Sequence, residues 1–137
     1  MTAPSTSTRR ALAGPASVAA VAVTAAAMLY VRDPRTSSYL PCPIHAVTGL
    51  WCPGCGSTRA FGALVHGDIA SALSSNALTV VLGVIGVVIW AVWAIARVRG
   101  RSLSLRRPSA AVFAAGVLVV LAFTVWRNIP AGSWLAP

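Results

Sequence analysis

Three uninterrupted apolar runs constrain this chain more than any other feature. Ala11–Val31, Ala77–Ala96 and Ala110–Trp126 contain no Asp, Glu, Lys, Arg or His. At about 1.5 Å per helical residue, the second run reaches about 30 Å, the thickness of a bilayer's hydrocarbon core. A soluble domain could not hide this material: 57% of the residues are hydrophobic and 9% are charged, in a chain of 137, whereas soluble domains carry about 25% charged residues. The expectation is an all-α integral membrane protein of about three transmembrane helices.

The charge is one-sided. All eleven cationic residues are arginines, and the only acids are Asp33 and Asp68. A net charge of +9 can signal nucleic-acid binding, but these arginines flank apolar runs. They read as topology signals and headgroup contacts, so the lipid bilayer is the expected partner and nucleic acid is not. Arg97, Arg99, Arg101, Arg106 and Arg107 crowd the loop 97–109, which places that loop in the cytoplasm.

The organisation follows: a cytoplasmic tail 1–10, span 11–31, an extracytoplasmic segment 32–76, span 77–96, the Arg-rich cytoplasmic loop 97–109, span 110–126 and an extracytoplasmic tail 127–137. Trp90 and Trp93 then lie near the inner interface, and Trp126 and Trp134 near the outer one, as tryptophan prefers. The first run has a rival reading as a signal peptide, with Arg9-Arg10 ahead of it and Ala25-Ala26-Ala27 as a cleavage site. Its continuation to Val31 favours an uncleaved anchor in the cell (inner or plasma) membrane. With no acidic residue and no histidine inside a span, a self-sufficient transporter is not expected. Ala16/Ala20, Ala22/Ala26 and Ala111/Ala115 have small-xxx-small spacing, but alanine is common enough here for that to arise by composition.

The chemistry lies in 42–59. Pro43 suits the first position of a short helix and Gly49 its stop. Pro53-Gly54 fits the centre of a type II turn, which would hold Cys52 and Cys55 close together. Ser57 or Thr58 could cap a helix running to about His66, with Gly67 as its stop. Cys55, just before that helix, is then expected to have a lowered pKa. Asp68 can cap another short helix, Ile69–Ser75. These pieces read as interfacial helices around a Cys-rich loop: Phe61, Leu64 and Val65 share one face, and Ile69, Ala72 and Leu73 another. A cation at Arg59, early in a helix, is unfavourable; its candidate partners are Asp68, lipid phosphate or the carbonyls of the Cys loop.

Three chemistries fit three cysteines. A structural disulfide between Cys42 and Cys52 or Cys55 leaves one thiol over. Cys42-x2-His45 with Cys52-x2-Cys55 offers four ligands with zinc-like pairing. The C-x-x-C of Cys52 and Cys55 has the local form of a thiol–disulfide exchange motif, without the βαβ surroundings of thioredoxin. No Ser/His/Asp triad can be assembled, and no catalytic residue is assigned.

The run Cys42–Ala60 resembles a bacterial membrane-protein family, domain-of-unknown-function family 2752. Its signature is approximately C-P-x4-T-G-x2-C-P-G-C-G-x-T-R-A, then L-x2-G-D and later A-x3-N-P. Cys42, Pro43, Thr48, Gly49, Cys52, Pro53, Gly54, Cys55, Gly56, Thr58, Arg59 and Ala60 carry the first block. Leu64, Gly67, Asp68, Ala72 and Asn76 carry the rest, and Ala77 stands where the family pattern has proline. The resemblance covers about residues 42–95. It implies a small multi-pass membrane protein with a site of unknown role and brings no activity with it. The leading expectation is a non-enzymatic accessory or interaction protein, acting with a membrane-protein partner or as a homo-oligomer, whose Cys loop is held by a disulfide or by zinc. An envelope thiol–disulfide oxidoreductase and a metal-binding protein are the alternatives.

Overall fold

The computed structural model describes residues 6–36, 42–101 and 108–136. Within them the chain is helical: α1 Thr6–Val31, α2 Pro43–Thr48, α3 Ser57–Val65, α4 Ile69–Val98 and α5 Ala110–Arg127, closed by a 3-10 turn, Pro130–Leu135. Three helices are long and apolar enough to cross a membrane, over Leu12–Val31, Ile69–Val98 and Ala110–Arg127. Each matches an expected apolar run. Arg106 and Arg107 lie outside the described residues.

The expected short helix Ile69–Ser75 and second span are one element with a break between them. At Asn76 the backbone leaves the helical region (φ −167°, ψ 91°). The Asn76 side chain then caps the spanning part, its Oδ1 accepting from the Thr79 N–H at 3.0 Å, the bond an N-cap makes to its third helical residue. Ala77 therefore occupies the first helical position, where proline is favoured and alanine is also a good helix former.

The small core sits where α3 folds back on α4. Ala60, Ala63, Ala72 and Val80 are buried together, with Leu64 against them. Small side chains let the two backbones approach closely. Other apolar residues of these helices face outward: Phe61, Ile69 and Leu73 are exposed. The turn between α3 and α4 is a Schellman motif. Asp68 N–H donates to Ala63 O and Gly67 N–H to Leu64 O, while Gly67 takes φ 79°. Asp68 then caps α4 as expected, accepting from Ser71 N–H at 3.0 Å.

The C-terminal end of α1 is tied to this corner. Tyr30 stacks on His66 at 4.8 Å. Arg35 pairs with Asp33 at 2.8 Å and reaches Asp68 at 3.4 Å. Pro34 packs on Gly62, where an added Cβ would stand 2.5 Å from its ring. At the other end, Trp90 Nε1 donates to Pro15 O at 3.1 Å and Trp93 lies over Gly14. These tryptophans pack helix on helix in addition to the interfacial role expected of them. The small-xxx-small pairs are not buried within the chain: Ala16, Ala20, Ala22, Ala111 and Ala115 are exposed.

Among the described residues, α5 makes hydrogen bonds to other elements only from its last residue, Arg127, and from its cap, Asn128. Its position is thus set at the Cys loop.

Candidate metal centre

The local reading of α2 holds. Pro43 opens it, and Gly49 ends it at φ 70° with its N–H on His45 O. Cys42 is the N-cap. The next turn differs from expectation. Cys55 N–H reaches Cys52 O at 3.1 Å, so the two cysteines are held together, but Gly54 has no positive φ. The turn is therefore not type II. The left-handed position falls to Gly56 (φ 82°), the N-cap of α3, where a side chain would be strained. Ser57 is the first helical residue and caps nothing. Its hydroxyl instead meets Thr79 Oγ1 at 2.7 Å, tying α3 to α4.

This geometry gathers three sulfurs. Cys42 Sγ lies 3.4 Å from Cys52 Sγ, Cys52 Sγ lies 3.0 Å from Cys55 Sγ, and all three are within 4.8 Å of one another. All are free thiols. A disulfide needs about 2.05 Å. Sulfurs bound about 2.3 Å from a tetrahedral zinc stand about 3.8 Å apart, so the cluster suits a shared ion. His45, expected as a fourth ligand, lies outside this group. Its ring stacks on Trp51 at 3.7 Å, and its buried Nδ1 has no hydrogen-bond partner.

The backbone of the loop is held from two sides. Asn76, fully buried, donates through Nδ2 to Pro53 O at 2.8 Å and Cys55 O at 3.0 Å. Arg127, 1% exposed, donates through Nη1 to Cys52 O and Cys55 O, both at 3.0 Å. Its Nη2 reaches Leu135 O at 2.7 Å and Ser75 O at 3.3 Å. The break at Asn76 makes that last bond available, because Ser75 O would otherwise accept from Thr79 N–H. Asn128 pairs with the backbone of Trp51, accepting its N–H at 2.8 Å and donating to its carbonyl at 2.9 Å.

Arg127 and Asn128 were not among the expected site residues. Their partners at 51–55 lie more than seventy positions away, and a lone arginine ending an apolar run reads as a topology signal. The carbonyl-binding role suggested for Arg59 belongs to Arg127. Arg59 is exposed and has no polar partner among the described residues. Asp68, another of its suggested partners, is engaged by Arg35.

The thiols differ in the opposite sense from the local expectation. Burial, then the neighbouring Cys52 and Cys42 thiols, pushes Cys55 up to about 12. Cys42 is pulled down to about 7, first by the backbone N–H of His45 in the opening turn of α2, then by Cys55 and Cys52. The helix-start effect therefore acts at α2, while at α3 burial outweighs it. In reduced, metal-free protein, alkylation mapped by mass spectrometry should modify Cys42 first. Its rate should rise with the thiolate fraction as pH increases through about 7. Cys55 should stay unmodified across the neutral range; its reacting first would contradict the assignment.

Fold and site together define a three-span helical protein with a tri-cysteine head at one end of the bundle. Residues 42–90 match the family described as "Protein of unknown function (DUF2752)", which supports for that segment the family its motif resembles. No curated protein and no solved structure matches the chain.

Proposed function

We propose that this chain is a small multi-pass membrane protein whose Cys loop is a metal-held node, and that its role is accessory and non-enzymatic. The observation that carries the reading is the meeting of three thiol sulfurs within 4.8 Å, drawn from α2 and the turn before α3. Sulfur donors favour zinc, which structural sites bind through thiolates. Asn76, Arg127 and Asn128 hold the donor-bearing backbone before any ion arrives, so binding costs little further ordering of the loop. The ion would in turn fix α2 to α3, and through Arg127 to α5.

The arginine-rich loop at the other end favours an outward-facing node. A membrane-impermeant thiol reagent, applied to intact cells after chelation, should then label Cys42. Labelling only after lysis would place the loop inside.

A second reading, thiol–disulfide exchange, draws on the 3.0 Å approach of Cys52 and Cys55 and on the lowered pKa of Cys42. Native mass spectrometry of purified protein, before and after alkylation, separates the two. A metal node predicts one zinc-sized adduct and three thiols protected until a chelator is added. A metal-free chain with a reversible Cys52–Cys55 disulfide would overturn it in favour of exchange.

A further inference from the structure

Arg127 poses an electrostatic problem. Its guanidinium is buried, and its four hydrogen-bond acceptors are all neutral carbonyls. Its Nε is buried without a hydrogen-bond partner, and the Phe123 ring, 5.2 Å from the guanidinium carbon, offers a π face but no countercharge. A buried cation without a countercharge is costly. No carboxylate side chain relieves it, because the only two in the chain, Asp33 and Asp68, are both on Arg35. Among the described residues, the groups beside Arg127 that can become anionic are the thiols of Cys52 and Cys55, whose own carbonyls it holds.

Resting on the metal-node reading, we infer that the site takes a divalent cation as a tri-thiolate complex and that Arg127 is its built-in countercharge. A divalent ion on three thiolates carries a net charge of −1, and Arg127 brings the buried cluster to zero. A monovalent ion on the same three sulfurs would leave −1 uncompensated, and a divalent ion on two thiolates would leave Arg127 unmatched. On binding, three S–H protons leave to solvent and three metal–sulfur bonds form, with no change in oxidation state. A tetrahedral ion then keeps a fourth position for water or another neutral donor, which preserves the balance. Arg127 is thus a positioning residue: it touches the ligands' backbone, not the ion.

The probe is Co2+, titrated into the reduced, detergent-purified full chain and read by its cobalt–sulfur charge-transfer band. Wild type should bind one ion through three thiolates. Arg127→Gln keeps a hydrogen-bond donor and loses the charge; it should weaken Co2+ binding about 10–100-fold, the usual effect of removing an outer-shell partner. Arg127→Lys keeps the charge but not the planar fork, and should bind within about tenfold of wild type. Arg97→Gln, at the far end of α4, should bind as wild type does.

Equal binding by wild type and Arg127→Gln would overturn the countercharge and leave the metal node standing. So would a loss of more than about tenfold in Arg127→Lys, a comparison that also decides the matter if Arg127→Gln does not fold. Absence of a cobalt–sulfur band in wild type would overturn the node and the countercharge together.

Discussion

Asn76→Leu should cost the folded head about 3 kcal/mol or more, since each buried polar group left unpaired costs about 1–3 kcal/mol. The side chain is fully buried and satisfies three backbone groups at once. Leucine fills similar space and satisfies none of them. Pro53 O loses its hydrogen bond, Cys55 O keeps only Arg127, and Thr79 N–H loses the cap that starts the spanning part of α4. The helix could recover the Thr79 bond by straightening through residue 76, but Ser75 O would then turn from Arg127 back into the helix. Hydrogen exchange in α3 and at Thr79, with a thermal melt in detergent, checks this. A variant within about 0.5 kcal/mol of wild type, the range of an ordinary surface substitution, would mean that the Asn76 bonds do not hold the loop.

The second large effect is that of removing the metal. An ion that binds only the folded head stabilises it by about 4 kcal/mol when present at a thousand times its dissociation constant. Chelation of the reduced protein should therefore lower its melting temperature and open the segment 42–56 to protease. The loss should concentrate there because α2 is a six-residue helix with no buried residue of its own. Its ties to the rest of the head are Cys42 and the His45–Trp51 stack, to which the proposed ion would add. The α3–α4 hairpin has its own alanine core and should persist. Added Zn2+ should restore both readouts. If chelation changed neither, the node would not depend on metal.

How far the sequence foretold this structure depends on the range of the interactions. The spans were legible because length and hydropathy fix them. The Pro43 start and Gly49 stop of α2, and the Asp68 cap of α4, were legible because each is decided within a few residues. The Pro53-Gly54 turn was not. Gly54 and Gly56 can both adopt positive φ, and only the direction in which α3 leaves decides between them. The Cys55 thiol was misjudged for a related reason. A helix start nearby argued for a lowered pKa, but burial, with the neighbouring Cys52 and Cys42 thiols, reversed it. Arg127 and Asn128 lay beyond local reasoning, because an arginine at the end of a span reads the same whether it faces headgroups or the carbonyls of a loop more than seventy residues away. One sign was available in the composition: with only two acids against eleven arginines, most arginines must find acceptors other than carboxylates.

X-ray absorption at the zinc edge, on protein purified without added chelator, tests the central claim most directly. A first shell of three sulfurs at about 2.3 Å, with one lighter donor completing a tetrahedral site, is the result expected. A shell of nitrogen and oxygen only, or no zinc above background while Cys52 and Cys55 are oxidised, would contradict it.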